Sequence, residues 1–203
     1  MMKQILIVAL VLLLPACGGF KAQRVDTERA DEAAMGITDQ WVDGDTIRVI
    51  DETLAKMNEH KKFQRFMSKR GAKEIKLFVG EIKNNTPEAY FPTNDLEEAL
   101  LEKLSDDDRF TLIDAKQREA ILKEVTYQND GMVDPAQAKK IGKQSGADAM
   151  IFGTVNMDPK TRDGKTIKTY SINFRVTDLE TGEELVRTRS KINKYSEQSS
   201  RGW

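Results

Sequence analysis

From Lys168 to Asp178 the chain alternates strictly, with Tyr170, Ile172, Phe174 and Val176 on one parity and Thr169, Ser171, Asn173 and Arg175 on the other. A period of two is the mark of a strand that buries one face. Leu179-Glu180-Thr181-Gly182 then turns the chain, and Leu185 to Ile192 returns with Arg187, Arg189 and Lys191 on one face. The opposite face, Val186, Thr188, Ser190 and Ile192, is only half apolar. Such a strand fits a sheet edge, where long cationic side chains discourage further pairing. Val186 and Ile192 are expected in the core and the three basic residues in water. Ala147 to Val155 precedes this pair as a buried strand, and Asp158 to Lys165 reads as a loop that turns at Asp163-Gly164. The chain therefore ends in an antiparallel three-strand meander, whose apolar face needs a cover.

The residues before it supply that cover. Asp45 is placed to cap a helix with Ile47, Ile50, Leu54 and Met57 on one face. A shorter helix carries Phe63, Phe66 and Met67 and stops at Gly71. Glu74 to Ile82 is a strand with Ile75, Leu77 and Val79 on one side, and Lys83 to Pro87 is a loop. Asn94 or Asp95 caps a helix bearing Leu96, Ala99, Leu100, Leu101 and Leu104, and Arg109 to Asp114 is a short strand. Helices are expected over Lys116–Tyr127 and Pro135–Ser145, the second with proline in its first turn and Gly146 past its end. The fold class is α+β, a mixed β-sheet flanked by helices, with one parallel strand–helix–strand crossover.

The amino-terminal stretch has a different logic. Met1-Met2-Lys3 is a basic start, Ile5 to Leu14 carries no charge, and Pro15-Ala16-Cys17-Gly18 follows. This is a secretory leader, too short to cross a bilayer as a helix. A small residue before a cysteine at this place resembles a bacterial lipobox. The resemblance implies lipid transfer to the Cys17 thiol, cleavage after Ala16, and acylation of the new amine, in the manner of palmitate-bearing lipoproteins. Residues 1–16 are then the signal peptide and 17–39 the lipidated cysteine and tether. Residues 40–195 form the folded domain and 196–203 a flexible tail. The tether alternates in charge and holds few large apolar groups, so it has little surface to offset its ordering entropy. A helix from about Val25 to Met35 is the alternative for that segment.

Composition narrows the functional classes. The net charge is −1, which gives no global field for nucleic acid, and export makes such a partner irrelevant. One cysteine, assigned to lipid, leaves none for an internal disulfide, and one histidine, His60, cannot build a Cys/His metal site. Gly142-Lys143 lacks the glycine and the Ser/Thr of a phosphate loop. Asp106-Asp107-Asp108 are adjacent, whereas calcium loops place ligands at alternate positions. Asn84-Asn85-Thr86 is a turn. No nucleophile–base pair stands out, so neither catalysis, nor a cofactor, nor a small-molecule substrate is expected. The one patch with interaction character runs from His60 to Lys73. Lys61, Lys62, Arg65, Lys69 and Arg70 lie in it without an acid, and are the candidate contacts to an anionic partner. A solvated helix face over two core phenylalanines is the plainer reading.

Four segments carry a family resemblance in combination. They are Asp39-Gln40-Trp41-Val42-Asp43-Gly44-Asp45, Ile82-Lys83-Asn84-Asn85-Thr86, Ile141 to Gly153 with its Gly146-Ala147-Asp148 before a strand, and Val176 to Glu183. In this order behind a lipobox they resemble the LpoB-like penicillin-binding-protein activators, over about Asp39 to Lys194. Curli-pore and TolB amino-terminal folds share similar pieces. The family implies an outer-membrane lipoprotein facing the periplasm that binds a class A penicillin-binding protein and stimulates peptidoglycan synthesis in the cell wall without being an enzyme. Gly18 and Gly19 lack the aspartate that retains lipoproteins in the inner membrane. A curli-type secretion or assembly lipoprotein, or another envelope-binding lipoprotein, is the alternative. The tether here is short and has no proline.

Overall fold

The computed structural model describes residues 24–71, 73–113 and 146–198. The expected helices over Lys116–Tyr127 and Pro135–Ser145, the leader, Cys17 and residues 199–203 lie outside them. In chain order the elements are α1 (Thr27–Ile37), α2 (Asp43–Glu59), α3 (Lys61–Arg70), β1 (Ile75–Asn84), α4 (Thr93–Ser105), β2 (Phe110–Leu112), β3 (Ala149–Arg162), β4 (Lys165–Asp178) and β5 (Glu184–Glu197). They build a mixed five-strand sheet flanked by helices, with strand order β2-β1-β3-β4-β5.

The sheet follows from the two sequence periods. The β1–α4–β2 unit joins parallel strands, and β3 also runs parallel to β1, because a crossover through a helix is how adjacent strands come to point the same way. A register shift between Val79 and Ile82 returns Ile82 to the face of Ile75, Leu77 and Val79, and all four join the main core. β3, β4 and β5 form the antiparallel meander. Tyr170, Ile172, Phe174 and Val176 are buried in the parity expected. β5 is the edge strand, with Val186 and Ile192 buried and Arg187, Arg189 and Lys191 exposed. The Lys56 ammonium donates to the Arg189 carbonyl at 2.6 Å, which occupies a backbone acceptor of the β5 edge.

Helices α2, α3 and α4 contribute to the same core as that sheet face. Leu96, Leu100 and Leu104 make a stripe at helical spacing on α4, and burying each leucine contributes roughly 2 kcal/mol. On α2 the buried face is Thr46, Val49, Ile50, Thr53 and Met57. Ile47 is exposed, contrary to the expected face. Three boundaries also differ. α2 starts at Asp43, so Asp45 occupies the third helical position. There its carboxylate accepts from the Val42 N–H at 3.0 Å. α4 starts at Thr93 behind Pro92 rather than at a capping Asn94 or Asp95. The supposed loop Asp158–Lys165 is the hairpin itself. β3 and β4 pair out to Arg162 and Lys165, and only Asp163-Gly164 turns, both at positive φ. Asp-Gly is favoured at such two-residue turns.

The segment expected as a tether carries a helix, α1, over its later part. α1 is capped by the Asp26 carboxylate, which accepts from the Arg29 N–H at 3.0 Å. Asp39 is tied to the sheet. The strand continues to Glu197, past the expected end of the domain.

On the sheet face away from α2, α3 and α4, a second apolar group of Phe78, Ala147, Met150, Phe152 and Leu179 is buried. From Thr154 onward that face turns polar. Register rows there are Thr154–Asn173–Arg189, Asn156–Ser171–Lys191 and Lys160–Ile167–Tyr195. No described helix is long and apolar enough to cross a membrane.

One strand position on the core side is under-used. Thr188 is buried opposite Phe174, and its hydroxyl has no partner among the described residues. Valine has the same shape and a strand preference. Thr188→Val is expected to raise stability by about 1 kcal/mol in a urea titration.

Candidate docking surface

Two polar structures meet the core, and only one of them faces outward. The inward one binds the incoming chain to the sheet. Lys168 and Lys194 stand on the apolar parity of β4 and β5, beside Tyr170 and Ile192. The Lys168 ammonium reaches Asp39 at 3.0 Å and Glu88 at 3.1 Å. Tyr170 donates to the Glu88 carboxylate at 2.9 and 3.0 Å. The Ser196 hydroxyl donates to Asp39 at 2.7 Å, and Lys194 pairs with Asp45 at 2.5 Å. Trp41 donates from its indole to the Thr46 hydroxyl at 2.8 Å and packs edge-on against Tyr170, with Phe91 beside both.

The electrostatics of this clamp follow from its contacts. Hydrogen bonds from Ser196 and then Lys168 hold the Asp39 carboxyl below its usual value. Burial works against the Lys168 charge, but the bonds to Asp39 and Glu88 outweigh it and raise its pKa. Burial, then the bond to Glu88, pushes the Tyr170 phenol up, which keeps it protonated as a donor. The groups satisfy one another and leave no oriented nucleophile, so the clamp fixes the fold.

The outward structure is α3. Phe63 and Phe66 hold it to the core, with Phe110 beside Phe63. Its end is locked by Arg70, whose guanidinium meets Asp148 at 2.5 Å and lies over the Phe66 ring. Asp148 also accepts from the Lys76 N–H at 3.0 Å, so one carboxylate joins α3, β1 and the start of β3. Arg70 is thus committed within the fold and leaves the candidate set. Lys61, Lys62, Arg65 and Lys69 are exposed, on a helix that has no acid in its first turn. Glu184, near the start of β5, is held below its usual pKa by Arg187, with weaker attraction from Arg175 and Lys62. Cys17 lies outside the described residues. His60 is exposed and links α2 to α3.

The other conspicuous residues are turn devices. Asp107 binds the Arg109 N–H and guanidinium. The Asn84 side chain accepts from the Thr86 N–H at 2.9 Å and donates to the Glu88 carbonyl at 2.8 Å. Asp178 accepts from the N–H groups of Glu180 and Thr181 at 2.8 and 3.2 Å. Sequence reasoning missed Lys168, half-buried, and Lys194, buried. Their signal was parity, since a lysine in phase with Tyr170 or Ile192 needs an internal carboxylate.

Comparison with known proteins gives the following. The family model described as the peptidoglycan-synthase activator LpoB matches residues 45–192. Among solved structures, the LpoB carboxy-terminal domain from Salmonella enterica is 16% identical, with a TM-score of 0.44, and the match covers 67% of this chain and 97% of that one. The corresponding domain from Escherichia coli is 17% identical with a TM-score of 0.44, covering 67% and 97%. Lipoprotein GNA1162 from Neisseria meningitidis is 21% identical with a TM-score of 0.47, covering 63% and 88%. No curated protein matches.

Proposed function

Because the chain belongs to the LpoB family of peptidoglycan-synthase activators, we propose that it is an outer-membrane lipoprotein, anchored through Cys17 and facing the periplasm. In this reading it binds a class A penicillin-binding protein and activates it without performing chemistry of its own. Family membership across the meander and the helical cover carries the reading. α3 supplies the contact. Its backbone is immobilised by Phe63, Phe66 and the Arg70–Asp148 pair, so little further order is needed when a partner arrives. Lys61, Lys62, Arg65 and Lys69 then steer and register an acidic surface on the synthase. Activation requires that the domain bind the synthase's productive conformation more tightly than its resting one. A bound activator that preferred neither would change nothing, however tight the complex.

The reading is tested by crosslinking the lipoprotein in its native envelope and identifying what it holds. A class A penicillin-binding protein is expected. Its yield should fall at least tenfold with Lys61→Glu, Lys62→Glu and Arg65→Glu together, since charge reversal at a steering surface lowers association. Capture of other envelope proteins with no synthase would reject it.

A further inference from the structure

The open face of β3–β5 has a character that the synthase contact does not use. At its far end Ile167 and Tyr195 are neighbours across β4 and β5 and are 45% and 57% exposed. With Lys160, Arg162 and Lys165 they line a cavity of about 400 Å³. The Tyr195 hydroxyl donates to Glu197 at 2.8 Å, which fixes the ring. Nearer the middle the face is polar, with Thr154, Ser171 and Asn173 half-buried and Asn156, Arg189 and Lys191 exposed. Arg189 donates to the Asn173 side chain at 2.8 Å, and Lys191 stands exposed in the next row. At the far end Lys160, Arg162 and Lys165 pair with Asp158, Asp163 and Glu197 at 3.5, 3.4 and 3.6 Å, which leaves Arg189 and Lys191, among the described residues, as the cations that meet no acid across the rows.

We propose that this face binds a carboxylate-bearing glycan. A sugar ring presents a flat C–H face that stacks on an aromatic or aliphatic platform, as Tyr195 and Ile167 provide. Its hydroxyl and amide groups pair with Asn173 and its neighbours, and its carboxylates pair with Arg189 and Lys191. A protein partner would need a desolvated apolar centre, and the middle of this face carries only polar side chains. The site rests on this surface chemistry and is separate from α3. The reading of the chain as a peptidoglycan-synthase activator places such a polymer within its reach.

The test is co-sedimentation of the full-length protein in detergent with purified insoluble peptidoglycan sacculi. Binding is expected to be salt-sensitive and about tenfold weaker for Tyr195→Ala and for Arg189→Glu with Lys191→Glu, each variant keeping its circular dichroism spectrum. Polyglutamate at equal carboxylate concentration should not displace the protein. Reversing the charges of Lys61, Lys62 and Arg65 should leave sedimentation unchanged while removing synthase capture, which separates failure of this site from failure of the synthase reading. No sedimentation, sedimentation indifferent to both face variants, or displacement by polyglutamate would each overturn the proposal.

Discussion

Replacing Lys194 with Met should destabilise the domain by about 3 kcal/mol, because removing one partner of a buried pair leaves an uncompensated charge. Lys194 is 8% exposed and its ammonium sits 2.5 Å from Asp45. The loss is not that of one surface bridge. Asp45 also caps α2 through the Val42 N–H, so its carboxylate cannot turn to water without freeing the helix end. Adding Asp45→Asn to Lys194→Met should recover more than half of the loss, since a neutral amide needs no counter-charge and still accepts from Val42. Urea titration of the two single variants and the double variant measures the coupling. A double variant no more stable than Lys194→Met alone would mean that packing, not charge, holds this corner.

The second large effect lies at the centre of the sheet. Phe174 is 1% exposed on β4 and lies opposite Gly153 on β3. Phe174→Ala should cost about 3–5 kcal/mol, the transfer loss plus the cavity left behind. Its neighbour gives the diagnostic. A methyl group placed on Gly153 would stand 2.9 Å from Phe174 Cε1 and 3.3 Å from the Asn173 carbonyl. Gly153→Ala alone should therefore destabilise by about 1–3 kcal/mol through overpacking. In the Phe174→Ala background the same methyl enters vacated space, and its cost should largely disappear. A double-mutant cycle in urea reads this as favourable coupling. Additive losses would mean that the ring does not occupy the room above Gly153.

The faces of β4 and β5 were legible because period-two patterning survives any uncertainty about the rest of the fold. The same rule failed at Asp158–Lys165. Its residues are polar and largely exposed on both faces, so no alternation marked them as strand, and only the register reveals the hairpin. The start of α2 was misjudged because Asp45 caps from inside the helix, at its third position. α1 stood only as the alternative, a helix from about Val25 to Met35, because its charged sequence offers no wide apolar face. Among the candidate contacts, the exposure of Lys61, Lys62, Arg65 and Lys69 was readable from the run of cations without an acid. Arg70 was not, since its partner Asp148 is remote in the chain. The segments that carry the family resemblance prove to be fold devices. Asp39 and Asp45 clamp, Asn84 and Asp178 shape turns, and Asp148 joins three elements. Their occurrence together pointed to the fold and its family, while the proposed contact surface lies on residues outside them.

The most direct test of the central claim is the rate of glycan polymerisation by a purified class A penicillin-binding protein, measured in detergent with and without the full-length lipoprotein. An activator that works by binding should raise the rate several-fold and saturably, have no polymerising activity when the synthase is omitted, and lose its effect with Lys61→Glu, Lys62→Glu and Arg65→Glu. A rate unchanged by saturating wild-type protein, or a rise that survives all three charge reversals, would contradict the account.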